Sequence, residues 1–172
     1  MSKLPSIIYY EDERNDEFSP AVITPKRIDG NWVYIHKSLW KRLTHFFWYR
    51  IVATPLAFLY LKLHFRHKVI GRKTLPRGKK NGYFLFGNHP QPVGDAVLPS
   101  MLTYPKHAYT IVHANNVSMP VLGRITPSLG ALPLPDDLAA ARNFAKAVET
   151  RTREGRAVVV YPEAHIWPCY TG

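Results

Sequence analysis

Residues 157–165, AVVVYPEAH, open with a β-branched run and close on a proline, a carboxylate and a histidine. Four apolar residues in a row, Ala157, Val158, Val159 and Val160, describe a strand covered on both faces rather than one that alternates between core and water. Before them stands DDLAAARNFAKAVETRTREG, residues 136–155, with Leu138, Ala141, Phe144 (or Ala145) and Val148 at helical spacing. Asp136 or Asp137 is suited to cap its start and Gly155 to end it. Further upstream, three short apolar runs follow the same plan: YFLF at 83–86, AYTIV at 108–112 and GALPL at 130–134. Strands alternating with helices predict an α/β layer fold.

In such a fold functional groups gather at the carboxyl ends of strands. Two strand ends here carry reactive side chains, GNHPQPVGD (87–95) after the first and YPEAH after the last. His89 and Asp95 are six positions apart, which on a continuous helix turns them about 120° from each other. Pro90, Pro92 and Gly94 argue instead for a loop, and a loop of this length can fold back and pair them. Asp95 is also placed to cap a helix beginning at Ala96, with Pro99 near its first turn. A histidine held by a carboxylate is a tuned general base. By spacing alone the favoured reading is a structural loop, with a histidine bonded to backbone and an aspartate that only caps.

Length and composition set the frame. The chain has 172 residues, enough for one domain with a core. Its one cysteine, Cys169, excludes an internal disulfide framework and suits a reducing compartment. The first residues, MSKLPSIIYYEDERNDEF, have no long apolar run of the signal-peptide kind. Net charge is +11, yet residues 26–80 alone hold fourteen Lys and Arg against the single acid Asp29. A field concentrated in this way attracts a polyanionic surface, lipid headgroups or nucleic acid. No nucleic-acid-binding motif accompanies it, so no nucleic-acid partner is expected.

Three regions follow. Residues 1–37 read as a charged arm and a short hairpin, with Asp29-Gly30 as its turn. Residues 38–80 form a basic, aromatic, helical segment. Its uncharged part, 51–61, is eleven residues, against about 20 needed to cross a bilayer, and Pro55 is expected to kink or break the helix. Aromatic rings flanked by Lys and Arg suit a helix lying at the headgroup boundary; packing on the protein's own core and a true span are the alternatives. Residues 81–172 form the α/β core.

Together, YFLFGNHPQPVGDAVLP and AVVVYPEAHIWP resemble the glycerolipid acyltransferase superfamily, the lysophosphatidate acyltransferase-like enzymes. Asn88, His89 and Asp95 match its Asn-His…Asp block, and Tyr161, Pro162 and Glu163 its Phe-Pro-Glu-Gly block. PVLGRITPSLGALPLPDD, 120–137, is similar to the glycine-containing block between them. The resemblance covers residues 45–172. It implies a glycerol-phosphate acyltransferase-like fold, a mixed sheet covered by helices and preceded by membrane-associated helices. It implies transfer of an acyl chain from acyl-CoA or acyl carrier protein to a hydroxyl of a lysophospholipid or glycerol phosphate; a lipid or thioester hydrolase using the same His-Asp pair, and a non-catalytic module that binds anionic membranes, are the alternatives. His89 would be the base and Asp95 its orienter, with Asn88, Pro162 and Glu163 shaping the substrate site. No cofactor and no metal is implied. The expected partners are a membrane lipid acceptor and an anionic membrane surface, and the expected location is the cytoplasmic face of a membrane.

The match has departures. Five residues separate His89 from Asp95 where the family has four. Where the middle block usually ends in a phosphate-gripping arginine this chain has LPLPDD, leaving Arg124 as the substitute. Ala164-His165 stands in place of Gly-Thr. Members also continue past the Pro-Glu block, so the 172-residue chain is expected to be truncated at its C-terminus. His113, Asn115 and Asn116 follow a strand end and fit either a pocket wall or a structural loop. Neither a metal site through His165 nor a nucleophilic Cys169 has supporting spacing or context.

Overall fold

The computed structural model describes residues 9, 11–12, 23–76, 81–91, 93–164 and 166. The four apolar runs become β1 (Tyr83–Phe86), β2 (Ala108–Val112), β3 (Ala131–Pro133) and β4 (Ala157–Val160). They pair in the order β1-β4-β2-β3, and every pairing is parallel, so the sheet among the described residues has no antiparallel member of the expected mixed kind. Long connections carrying helices separate the strands, as parallel pairing requires. The run AVVV earns the central place beside β1 and β2: Ala157, Val158 and Val159 are buried outright. The register sets Phe86 against Val160, so the loops that begin at Gly87 and Tyr161 leave the sheet side by side.

The short helix α4 (Asn115–Ser118) lies between β2 and β3, and helix α5 (Leu138–Arg153) returns the chain from β3 to β4. Asp137 caps it, accepting the Ala140 N–H at 2.7 Å, and Gly155 follows its end at φ 76°. Its buried face is centred on Ala140 and Ala147, while Leu138 is largely exposed. The expected face is therefore turned by a fraction of a helical turn. Alanine at the contact lets the helix approach closely, which the periodicity of bulkier residues does not reveal. Gly82 belongs to the same close approach: a Cβ there would stand 2.1 Å from the Thr152 carbonyl oxygen.

The expected hairpin at Asp29-Gly30 is absent; residues 23–37 contain no strand. Backbone partners explain the difference. Ile28 donates its N–H to Asp136 Oδ2 at 2.6 Å, and its carbonyl accepts the Asp136 N–H at 3.0 Å. Asp29 closes a local turn by accepting the Asn31 N–H on its side chain and the Trp32 N–H on its carbonyl. The segment is a strap that seats fully buried Ile28 against Ala114 and Val117, with Trp32 and Tyr34 beside them. It gains more from that burial than from pairing with itself. Asp136, one of the acids that interrupt the family pattern, thus has a structural task.

Within the basic aromatic segment, Leu39–Leu63 is one continuous helix of 25 residues, long and apolar enough to cross a membrane. Pro55 does not break it. Between α1 (Leu39–Phe46) and α2 (Thr54–Leu63) the turns of Phe47–Ala53 widen to π geometry. The Thr54 N–H reaches the carbonyl of Tyr49, as does its hydroxyl at 2.7 Å. The wider turn accommodates a residue that has no N–H and whose ring would otherwise meet the preceding turn. Tyr49, Ala57 and Leu61 face the protein, α2 packing on α3 (Gly94–Leu102), whereas Trp40, Leu43, Phe46, Ile51, Leu56 and Leu63 are more than half exposed.

Candidate active site

The loop after β1 folds back on itself. His89 Nδ1 stands 3.0 Å from Asp95 Oδ2, and the same oxygen accepts the Gln91 N–H at 2.7 Å. The extra residue between them therefore does not keep the two side chains apart. Asp95 is 6 % exposed. Because a carboxylate only accepts, the proton of the neutral imidazole lies on Nδ1, which leaves the Nε2 lone pair free. Asp95 does not cap a helix starting at Ala96. Helix α3 begins one residue before it, at Gly94, and Asp95 lies in the first turn with its carboxylate turned back to the loop. A Cβ on Gly94 would meet the Gln91 side-chain oxygen at 2.6 Å, a contact that a turn of that side chain relieves.

Pro99 lies inside α3 rather than at its edge. It has no N–H, so the carbonyl of Asp95, four residues earlier, lacks its helical donor. The Tyr161 hydroxyl fills the vacancy, donating to that carbonyl at 2.7 Å. The Tyr161 ring stacks on the His89 imidazole, with centroids 4.7 Å apart and planes 23° apart. Burial, and then the Asp95 charge, push the phenol's pKa well above its ordinary value, so it remains a donor. A Cβ on Gly87 would come within 3.3 Å of this ring. Tyr161, matched only as a member of the Pro-Glu block, is the site residue to which motif reading gave no role. Its signals were the proline four residues after Asp95 and a tyrosine where the family pattern has phenylalanine.

Glu163 enters from the neighbouring strand end. Its Oε2 accepts the His89 N–H at 2.8 Å, tying the two loops together, although the carboxylate itself is exposed. Ala164 closes the turn with its N–H on the Tyr161 carbonyl at 3.2 Å, at φ 61°. That left-handed backbone accounts for the family's glycine at this position.

The other expected residues are placed differently. Asn88 and Pro162 are exposed beside the pair. Arg124 is exposed at the end of the 3₁₀ turn Leu122–Arg124, and no hydrogen bond or ion pair joins it to His89, Asp95 or Glu163 among the described residues. His113 makes a local turn, accepting the Asn115 N–H on Nδ1 at 3.2 Å, with Asn116 donating to its carbonyl. His165 and Cys169 lie outside the described residues. Among the described residues no cluster of His, Cys, Asp and Glu has the makings of a metal site.

What the arrangement offers is a carboxylate-oriented imidazole at the rim of a parallel sheet, held from three sides. A protein-family model described as Acyltransferase matches residues 66–169, a stretch that contains both loops. No match to a curated protein or to a solved structure was found.

Proposed function

Because the chain belongs to the acyltransferase family, we propose that it moves a fatty acyl chain from a thioester, acyl-CoA or acyl carrier protein, to a hydroxyl of a lysophospholipid or glycerol phosphate. The observation that carries this reading is the His89–Asp95 pair at 3.0 Å, with Nδ1 engaged and no hydrogen bond at Nε2 among the described residues. Nε2 takes the proton of the acceptor hydroxyl, and the oxygen attacks the thioester carbonyl. The tetrahedral intermediate then expels the thiolate, which receives the proton from the imidazolium. Asp95 keeps the ring in the right tautomer and stabilises its charged form, as the carboxylate of a serine-protease triad does. Backbone N–H groups in the first turn of α3, apart from that of Asp95, which donates to the Gln91 carbonyl, suit the developing negative charge of the attacked carbonyl.

Membrane association is part of the same proposal. The long helix exposes apolar side chains on one side while packing Tyr49, Ala57 and Leu61 on the other, which suits a helix lying at the headgroup boundary beside the domain. The excess charge of residues 26–80 favours an anionic cytoplasmic leaflet. Arg124, exposed and without an ion pair among the described residues, is our candidate for the acceptor's phosphate. Asn88, Pro162 and Glu163 complete the acceptor side.

The test offers labelled acyl-CoA or acyl carrier protein together with lysophosphatidate, glycerol phosphate, a zwitterionic lysolipid or water. The expected result is labelled phospholipid from a phosphate-bearing acceptor, abolished in His89→Ala. Wild-type turnover in that variant would refute the assigned base. Release of free acid with every acceptor ignored would make the enzyme a hydrolase. Arg124→Gln is expected to raise KM for the phosphate-bearing acceptor and leave kcat unchanged.

A further inference from the structure

The amino ends of the strands, opposite His89, border a cavity of about 970 Å³ between the strap at 32–37, one side of α1 and the starts of β2, β3 and β4. A four-residue strand separates this end of the sheet from the end bearing His89, roughly 13 Å. None of the residues of the His89 site lines it. Its volume is that of a pocket for a sizeable ligand.

The charge around it is one-sided. Lys37, Lys41, Arg42, Arg50, Arg151 and Arg156 line the cavity against one acid, Glu154. Glu154 Oε2 is 3.0 Å from Arg151 and 4.0 Å from Arg156, so a single carboxylate serves two guanidiniums. The Nε atoms of both arginines are buried with no hydrogen-bond partner among the described residues. Neither Lys41 nor Arg42 has an acidic partner there. Two stacked imidazoles, His45 and His107, stand in the same wall with centroids 4.5 Å apart. Burial first, and then the neighbouring cations, push both below the ordinary histidine range. Like charges gathered around a void repel one another, and a phosphate placed among them relieves that repulsion while offering each planar guanidinium two acceptor oxygens.

One flank is apolar. Leu39, Leu43 and Phe46 of α1 border the cavity and are 68 %, 53 % and 57 % exposed. A free anion would leave this flank unused; a ligand with both a phosphate and hydrocarbon would cover it.

We propose that this cavity binds one phosphate-bearing lipid, its headgroup among the guanidiniums at the strand amino ends and its chains along the exposed side of α1. The site is independent of His89 and of the acyl-transfer reading.

Calorimetric titration of the full chain tests it, with dihexanoyl phosphatidate below its micelle concentration, dihexanoyl phosphatidylcholine and inorganic phosphate as separate ligands. Saturable one-to-one binding of phosphatidate is expected, with both other ligands at least about tenfold weaker. Lys41→Gln/Arg42→Gln, on an exposed helix face where folding is not at risk, should weaken binding about fivefold or more. Arg156→Gln should weaken it as well. Lys68→Gln/Lys73→Gln removes the same charge outside the cavity and should leave affinity within about twofold, as should His89→Ala. Equal loss in the two double variants would reduce the effect to diffuse charge and overturn the site. So would inorganic phosphate binding as tightly as phosphatidate, the absence of saturable binding, or loss of binding in His89→Ala.

Discussion

Asp95 is held at both ends: its carboxylate by His89 and Gln91, its carbonyl by Tyr161. Replacing the carboxylate by an amide leaves the shape but can force the wrong tautomer on His89, so Asp95→Asn should lower kcat by about 10³–10⁴-fold with little change in stability. Tyr161→Phe keeps the ring under His89 and removes only the donor to an already orphaned carbonyl. It should cost about 1–3 kcal/mol in urea unfolding and loosen the α3 end that carries Asp95, so kcat falls while KM holds. An unchanged midpoint would refute the bond's importance. At Ala164 the left-handed backbone costs a residue with a Cβ about 1 kcal/mol, partly offset by alanine's lower entropy when unfolded. Ala164→Gly should therefore raise stability modestly, read as a small rise in Tm. At this scale the histidine, the aspartate and the Pro-Glu turn were legible from motif chemistry. Tyr161 was not, because its role depends on a missing N–H in another element.

The elements show where local signals succeed and fail. Asp137 and Gly155 mark α5 as expected, since caps act within a few residues. The hairpin failed because Ile28 found its backbone partner in Asp136, 108 residues away. Pro55 failed to break the long helix because a π turn absorbed it. That helix is anchored by Tyr49, whose hydroxyl accepts the Ala108 N–H at 2.9 Å, and by His45 and His107, whose Nε2 atoms are 3.2 Å apart. Burial chiefly, aided by Arg151, Arg156 and His36, holds the His45 pKa down at about 4. Burial followed by His45, Arg156, Arg50 and Arg151 lowers that of His107. A depressed folded value means that the unfolded chain binds protons first. The docking is thus fully stable above the unfolded value near 6.5 and weakens as pH falls from there towards 4. The urea midpoint should drop between pH 7.5 and 5, and drop less in His45→Phe, which keeps the stack without the titrating ring. Parallel curves for the two proteins would contradict this account.

For the whole molecule, charge and apolar surface lie with the long helix and chemistry with the far end of the sheet. If the basic segment docks the protein on lipid, binding to vesicles containing phosphatidate should weaken steeply as salt rises from about 0.05 to 0.5 M, because screening shortens the reach of exposed charges. Binding to purely zwitterionic vesicles should be weak throughout. Salt-independent binding to both would assign docking to the apolar face of the helix alone. The sequence by itself determined the strands, the two ends of α5, the charge segregation and the two motif-bearing loops, because each depends on neighbours within a few residues. Tertiary structure decided that β4 inserts beside β1, which brings Glu163 to the His89 backbone across 74 positions and Tyr161 to Asp95 across 66. It also decided which side of α5 is buried and where the cationic cavity lies. Those outcomes follow from which distant surfaces bury one another, and no local pattern encodes that choice.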